Sequence, residues 1–154
     1  MCYTTMMTNG KDLIVTSIVV TKAIIINNEN QILLIKRSNE NTTDVGQWEV
    51  PGGKLEKGQL IEDSLKRELE EEVNIKLENF ESNLASVSSR IITNNPDYRG
   101  ITVVTITQLV KLNNIPKITL SHEHDEYKWV SKEQALKMDL REATRLALET
   151  PDFV

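Results

Sequence analysis

Short runs of hydrophobic residues dominate the first third of the chain and predict β-strands. Residues 13–26 are rich in β-branched side chains and predict one long strand or two short ones. The polar cluster at 27–30 predicts a turn, and the apolar run over 31–37 predicts the return strand of a hairpin. After a polar loop over 38–46, residues 48–50 predict a further short strand.

A helix over about 60–73 is the first element with helical periodicity. Its apolar positions recur every four residues, at Leu65, Leu69 and Val73. Glu68, Glu71 and Glu72 follow an i, i+3, i+4 spacing, so their carboxylates share one helix face. A Pro-Gly-Gly turn at 51–53 precedes the helix. Crowded carboxylates beside such a turn predict a divalent-cation site, and a solvated charged face is the simpler alternative.

The remaining elements alternate strands with helices. They are strands within 75–92, 101–112 and 126–130, a short helix that begins at Ser131, and a last helix over 141–149. Glu133 or Gln134 in the first turn after Ser131 is a capping signature. This succession predicts the α/β class, with a mixed sheet covered by helices. No change in composition marks a second domain, so one domain is expected over 1–154, with 1–10 as a loose leader.

Composition and charge restrict the partners. The 154-residue chain carries a net charge of −5 and has no basic patch, which argues against a long nucleic acid as partner. No apolar run approaches the length of a membrane span, so no membrane partner is expected. The single cysteine, Cys2, excludes an internal disulfide, and with the polar N-terminal segment it predicts a reducing, cytoplasmic location.

The segment from Gly53 to Ile75 resembles the Nudix box, G-x5-E-x7-R-E-U-x-E-E-x-G-U, in which U is an aliphatic residue. The matching positions are Gly53, Arg67, Glu68, Leu69, Glu71, Glu72 and Ile75. The preceding Gln-Trp-Glu-Val-Pro-Gly run over 47–52 is similar to the usual lead-in of that family. The resemblance identifies the chain as a MutT-like Nudix member and implies a Nudix-type α/β/α sandwich with a central mixed β-sheet.

Two positions of the box depart from the family pattern. Gln59 stands in place of the first glutamate, and Asn74 stands in place of the glycine. A glutamine can accept a hydrogen bond from Arg67 or from a backbone N–H but brings no charge, so weakened activity is expected and a degenerate box stays open. Asparagine tolerates the left-handed conformation that ends many helices, so Asn74 is expected to be structurally benign.

The resemblance also implies a reaction and a cofactor. Nudix enzymes cleave a nucleoside diphosphate linked to another moiety, by attack of water on phosphorus. By position, Glu68, Glu71 and Glu72 are implied to bind Mg²⁺, with Mn²⁺ as a substitute. The carbonyl of Gly52 is implied as a further ligand, and Glu56 as a ligand of a second ion.

The catalytic residues implied by the resemblance are Arg67, Glu71 and Glu123. Arg67 would orient a glutamate through a charge-assisted hydrogen bond, and a simple i,i+4 pair with Glu71 is the alternative. Residues 123–130 resemble the E-x5-W pattern of MutT-like members, which makes Glu123 a candidate general base. Glu71 and Glu126 are the other candidates, and both acids of the later segment can also be ordinary loop residues.

The candidate substrate-binding residues are Arg37, Gly53 and Trp48. Arg37 matches a strand position that contacts the nucleotide in MutT-like members, with edge protection as the alternative. Gly53 opens the box in a turn suited to a phosphate chain. Trp48 is a candidate for stacking on a base, with packing beneath the glycine turn as the alternative. His122 and His124 lack further metal ligands at a suitable spacing and are expected to be solvated.

The substrate class is expected from the absence of specific signatures. Signatures of the members that act on ADP-ribose, dinucleoside polyphosphates, NADH or coenzyme A are missing from their expected positions. A small-molecule substrate is therefore expected, most simply a nucleoside triphosphate or a related nucleotide. The competing interpretation is a weak or inactive nucleotide-sensing module, because Gln59 removes one box carboxylate. Both a monomer and a homodimer are compatible with the sequence.

Overall fold

A mixed β-sheet lies at the centre of the structure, a computed structural model that describes residues 7–8, 11–12, 17–78 and 81–150. The elements in chain order are β1 (Met7–Thr8), β2 (Lys11–Asp12), β3 (Ser17–Ile26), β4 (Ile32–Arg37), β5 (Trp48–Glu49), β6 (Gly52–Lys54), α1 (Ile61–Val73), β7 (Ser82–Ile91), a single 3-10 turn (Pro96–Tyr98), β8 (Thr102–Lys111), β9 (His124–Val130), α2 (Lys132–Leu136) and α3 (Glu142–Glu149). The predicted α/β class is confirmed.

The main sheet has the strand order β5-β4-β3-β8-β7, with β6 paired to β3 and β9 paired to β4. Strands β3 and β8 run parallel, in a continuous register from Ser17 opposite Thr102 to Ile26 opposite Lys111. The other pairings of this sheet are antiparallel. The sheet is therefore mixed, as the sequence predicts, and the parallel pair forms its middle.

Alternate residues of β3 face two separate hydrophobic layers. Ile24 and Ile26 belong to a cluster that includes Leu148 of α3. Ala23 and Ile25 belong to a second cluster, on which the apolar stripe of α1 packs. Because successive side chains of a strand point to opposite faces, this alternation places helices on both sides of the sheet. The result is the α/β/α arrangement that the resemblance implies.

The C-terminal end of α1 and the start of α2 follow local sequence signals. Asn74 ends α1 in the left-handed conformation, with φ 57° and ψ 33°, and its N–H bonds back to the last turn. Ser131 and Gln134 form a complete capping box at the start of α2. The predicted roles of Asn74 and of the Ser131 segment are confirmed.

Some observed element boundaries differ from the predicted ones, and some predictions concern residues outside the described ranges. Strand β9 begins at His124 rather than at Glu126, and this shift matters for the site. Of the predicted leader at 1–10, only Met7–Thr8 is described, as a short strand paired with Lys11–Asp12, and Cys2 lies outside. Within the described part of the chain, no helix has the length and hydropathy needed to cross a membrane.

Candidate active site

A cleft of about 1030 Å³ opens beside the acidic face of α1, and its lining combines carboxylates with cationic side chains. The lining carboxylates include Glu56, Glu68, Glu71, Glu72 and Glu123, and the cations include Lys22, Arg37, Arg90 and Arg141. Both kinds of charge come from distant parts of the chain. A cleft of this composition suits a ligand that carries metal ions and phosphate groups together.

The glycine turn brings its backbone directly against β3 and α1. Gly52 has φ +134°, and a Cβ atom there would lie 2.7 Å from Lys22 Cα. At Gly53, an added Cβ would collide with the carboxyl group of Glu68. Neither glycine can be replaced without a shift of its neighbours. The pair therefore sets the distance between the turn and the acidic helix.

Glu72 is the most deeply buried carboxylate of the α1 face. Its side-chain oxygen Oε2 accepts a hydrogen bond of 2.7 Å from the backbone N–H of Gly52, and the residue is 7% exposed. Burial raises the pKa of Glu72 to about 7, against the opposing influence of Lys22 and His124. A further positive charge near this carboxylate, such as a bound cation, would favour its ionised form.

Arg67 contacts three of the predicted metal ligands. Its guanidinium lies 2.8 Å from Glu68, 3.0 Å from Glu71 and 3.7 Å from Glu56. It also donates to the backbone carbonyl of Lys54. Burial raises the pKa of Glu68, and Arg67 opposes that effect. The i,i+4 pair with Glu71 is present, but it is one contact among several, so Arg67 holds the carboxylates in a common arrangement.

Gln59 stabilises the turn that leads into α1. Its side-chain carbonyl accepts a hydrogen bond of 3.2 Å from the backbone N–H of Glu56. Its own backbone N–H donates to the carbonyl of Glu56. Of the two partners predicted for this glutamine, the structure shows the backbone N–H. The residue thus orders the segment that carries Glu56.

The carbonyl of Gly52, a predicted metal ligand, already has a protein partner. Lys22 Nζ donates to it at 2.8 Å and also lies 2.8 Å from Glu49. A carbonyl oxygen has two lone pairs, so one remains for a cation on this atom. Lys22 thus links the glycine turn to the carboxylate of Glu49.

Glu49 is a buried carboxylate that joins four positively charged or basic groups. Its carboxylate lies 2.8 Å from Lys22, 2.9 Å from Arg37, 2.9 Å from Arg141 and 3.2 Å from His124 Nε2. The residue is 1% exposed. Burial would raise the pKa of Glu49, but Lys22, His124 and Arg141 hold it well below the usual 4.5. Glu49, Lys22 and Arg141 were not among the predicted site residues.

The expectation that His124 is solvated was wrong. The residue is 4% exposed and pairs with Arg37 in the register of β4 and β9. The shifted start of β9 is the reason, because it draws His124 from the predicted loop into the sheet. His122 is exposed, as expected, and lies 3.7 Å from Glu40. The strand signal of the following residues was the available clue.

Trp48 lies outside the residues that line the cleft. It is 7% exposed, belongs to the cluster that includes Ile24, and has Lys128 Nζ 4.9 Å from its ring centroid. The packing alternative for Trp48 thus describes its position. Arg37 and Gly53, the other predicted substrate-binding residues, both line the cleft.

The two later candidates for the general base occupy different surroundings. Glu123 is exposed and lines the cleft. Glu126 is not part of that lining, and its carboxylate pairs with Lys128 at 3.2 Å and Lys36 at 3.5 Å. Lys128, with a smaller contribution from Lys36, lowers the pKa of Glu126. Glu123 therefore has the better access to a ligand in the cleft.

Comparison with known proteins gives consistent matches. A family model described as the NUDIX domain matches residues 17–150. A protein named nucleoside triphosphatase NudI from Klebsiella pneumoniae (strain 342) is 34% identical over 128 residues, covering 80% of this chain and 89% of that protein. The protein of the same name from Escherichia coli (strain K12) is 31% identical over 128 residues, with the same coverage.

Solved structures resemble this fold over most of its length. The MutT protein from Methanosarcina mazei Go1 has a TM-score of 0.74 and 29% identity, covering 86% of this chain and 91% of that chain. A MutT NUDIX hydrolase from Burkholderia pseudomallei has a TM-score of 0.72 and 30% identity, covering 87% and 97%. The dihydroneopterin triphosphate pyrophosphohydrolase of E. coli, at 20% identity and a TM-score of 0.70, shares the fold and covers 85% and 92%.

Proposed function

Because the chain belongs to the Nudix family and is a hydrolase of phosphoric anhydride bonds, we propose that it is a divalent-metal-dependent pyrophosphohydrolase of nucleotides. The substrate class we propose is a nucleoside triphosphate, which the name of the Klebsiella relative states for that protein. The observation that carries the proposal is the cleft in which α1 carboxylates face cationic side chains.

The donor set fits Mg²⁺, with Mn²⁺ as a substitute. Glu56, Glu68, Glu71 and Glu72 offer carboxylate oxygens at one cleft, and hard oxygen ligands favour these ions. Three of the four already share Arg67 as a counter-charge, which relieves only part of their mutual repulsion. When bound, the ion would offset phosphate charge and lower the pKa of a water molecule.

The cationic residues supply binding and orientation for the phosphate chain. Lys22, Arg37 and Arg141 line the cleft, and Glu49 holds all three in place. Arginine guanidinium groups form paired hydrogen bonds with phosphate oxygens, so these side chains suit the substrate end of the cleft. Gly53 allows the backbone of the turn to approach the phosphate chain without a side chain in between.

Glu123 is the general base of this proposal. An oxygen–phosphorus bond forms between water and the attacked phosphorus, the bridging oxygen leaves with its electron pair, and Glu123 takes the proton from water. Its exposed position in the cleft supports this role. Glu71 is engaged by Arg67 and Glu126 by two lysines, so each is less free to accept a proton.

A panel of substrates tests the proposal. Release of phosphate and pyrophosphate would be followed with canonical and oxidised nucleoside triphosphates, ADP-ribose, dinucleoside polyphosphates and nucleotide sugars, each with Mg²⁺, Mn²⁺ or EDTA. Release from a nucleoside triphosphate that requires the metal ion is the expected result. Release of phosphate or pyrophosphate from another class of compound alone would overturn the proposed substrate class. Release that is unaffected by EDTA would overturn the proposed metal dependence.

A nucleotide-sensing module is the second candidate, and Gln59 is the observation that favours it. The glutamine replaces a box carboxylate, and its uncharged side chain bonds to the backbone N–H of Glu56. A panel without turnover, combined with saturable nucleotide binding, would select this alternative. The substitution Gln59→Glu would then show whether the missing charge accounts for the lack of turnover.

A further inference from the structure

His124 presents a buried ring nitrogen with no protein partner. Among the described residues, no group forms a hydrogen bond with its Nδ1 atom, and its side chain is fully buried. A buried polar atom without a partner is costly, so such atoms in folded proteins usually meet water or an ion. The proposed hydrolysis does not use this nitrogen.

The other ring nitrogen of His124 determines the proton arrangement. Nε2 lies 3.2 Å from Glu49 Oε1, and an ionised carboxylate only accepts hydrogen bonds. Nε2 therefore carries the proton in this pair, and in the neutral ring Nδ1 holds a free lone pair. A carboxylate behind a histidine is the arrangement that orients imidazole ligands in metal sites.

Two carboxylates complete the cluster. One ligand atom from each of Glu72, Glu123 and His124 can be chosen so that all three atoms lie within 4.8 Å of one another. Glu72 and His124 are buried, whereas Glu123 reaches in from the exposed side. Three donors at this separation are compatible with a shared ion.

The loop that carries Glu123 and leads into β9 is hydrogen-bonded to the surrounding elements. Ser121 N–H donates to the carbonyl of Glu72 at 3.1 Å, and Ser38 N–H donates to the carbonyl of Glu123 at 2.9 Å. Ser38 Oγ also donates to the carbonyl of His122 at 2.8 Å. These bonds fix the loop backbone between α1 and β4. The donors therefore do not need a large rearrangement to meet an ion.

We propose that His124 Nδ1, with the carboxylates of Glu72 and Glu123, binds a divalent transition-metal ion. A neutral imidazole suits ions such as Mn²⁺, Co²⁺ and Zn²⁺, whereas Mg²⁺ takes oxygen ligands. The imidazole distinguishes this position from the all-oxygen set of Glu56, Glu68 and Glu71. Glu72 belongs to both sets and Glu123 is also the proposed general base, so the inference shares these two residues with the proposed function, and Glu123 would act as ligand when the ion is bound here and as base when it is not.

Histidine-specific isotope labelling provides a direct test, since the chain has only two histidines, His122 and His124. Protein labelled with ¹⁵N-histidine would be loaded with Mn²⁺ alone, without nucleotide, and measured by pulsed electron paramagnetic resonance. The expected result is a directly coordinated histidine nitrogen in the wild type and in His122→Gln. Its loss in His124→Gln would assign the ligand.

A Co²⁺ titration followed by visible absorption measures the same site by affinity. His124→Gln is expected to weaken Co²⁺ binding about tenfold or more, and His122→Gln is expected to leave it unchanged. If the resonance spectrum of the wild type shows no coupling between Mn²⁺ and a histidine nitrogen, the proposal is overturned, whatever the spectrum of His124→Gln shows. Coupling that disappears in His122→Gln would overturn it as well.

The binding experiments contain no substrate, so their outcome is separate from that of hydrolysis. A missing histidine signal together with Mg²⁺-dependent turnover would remove this metal position and leave the pyrophosphohydrolase intact. A clear signal from a coordinated histidine nitrogen, with no turnover of any substrate on the panel, would support this metal position and remove the pyrophosphohydrolase activity.

Discussion

The carboxylate of Glu72 accepts a hydrogen bond of 2.7 Å from the backbone N–H of Gly52, which joins the acidic helix to the glycine turn. The bond is buried and joins two residues that are 20 positions apart in the sequence. It fixes one oxygen of Glu72 and leaves the other available to a ligand in the cleft. The same carboxylate is thus part of the fold and part of the proposed metal site.

Replacement of Glu72 by glutamine separates these two roles. Glu72→Gln keeps an oxygen that can accept from Gly52 but removes the charge, so the fold is expected to persist. We expect kcat/KM to fall by about 100-fold or more, because the ion loses a charged ligand. Steady-state hydrolysis and thermal unfolding measure the two effects.

The matched control is Glu70→Gln on the same helix. Glu70 is exposed, pairs with Lys76 at 3.2 Å and does not line the cleft. Its substitution is expected to leave kcat/KM unchanged. An unaltered activity in Glu72→Gln would contradict the metal assignment, as would an equal loss in both variants.

Substitution of Gly53 tests the distance between the turn and the helix. An alanine methyl group at this position would collide with the carboxyl group of Glu68. Displacement of Glu68 by about 1 Å is expected to lower kcat by about 100-fold. Gly58→Asn is the control, since no atom lies near an added Cβ and asparagine tolerates its positive φ. Full activity of Gly53→Ala would show that the close approach is unimportant.

Glu123→Gln tests the general base. Removal of a base is expected to lower kcat by about 100-fold to 10,000-fold. Glu126→Gln is the comparison, because that carboxylate pairs with Lys128 and Lys36 away from the cleft lining. A larger loss in Glu126→Gln than in Glu123→Gln would reverse the assignment.

Glu49→Gln tests the buried ionic cluster through stability. The change leaves Lys22, Arg37 and Arg141 without their shared counter-charge, and we expect unfolding at pH 7 to cost about 3 kcal/mol less. Denaturant unfolding measures this difference. Glu133→Gln, at an exposed pair with Lys137, is expected to have little effect.

The pH dependence of that difference has a definite sign. The pKa of Glu49 lies well below its usual 4.5 in the folded protein, so its ionised form stabilises the fold above pH 4.5. This contribution is lost as the pH falls below 4.5 through the folded-state pKa. The stability gap between wild type and Glu49→Gln is therefore expected to narrow at low pH. A gap that widens on acidification would contradict the ionic account.

The acidic helix and its C-terminal end could be predicted because their signals are local. The spacing of Glu68, Glu71 and Glu72 and the left-handed end at Asn74 depend only on neighbouring residues. Periodicity therefore located α1 within one residue at its start. The match to the Nudix box predicted the family, but it did not predict the surroundings of each carboxylate.

The cluster around Glu49 could not be predicted in this way. Its partners lie 27, 12, 92 and 75 positions away, at Lys22, Arg37, Arg141 and His124. They meet only after β3, β4 and β9 pair and α3 docks. The burial of His124 depends on the same pairing, so a local pattern assigned it to a solvated loop.

The most direct test of the account is ³¹P nuclear magnetic resonance of a nucleoside triphosphate incubated with the wild-type protein and Mg²⁺, then with EDTA. The expected products with Mg²⁺ are nucleoside monophosphate and pyrophosphate. No reaction is expected in EDTA or with Glu68→Gln, whose carboxylate lines the cleft. Turnover that continues at the full rate in EDTA, or with Glu68→Gln, would contradict the proposed metal-dependent pyrophosphohydrolase.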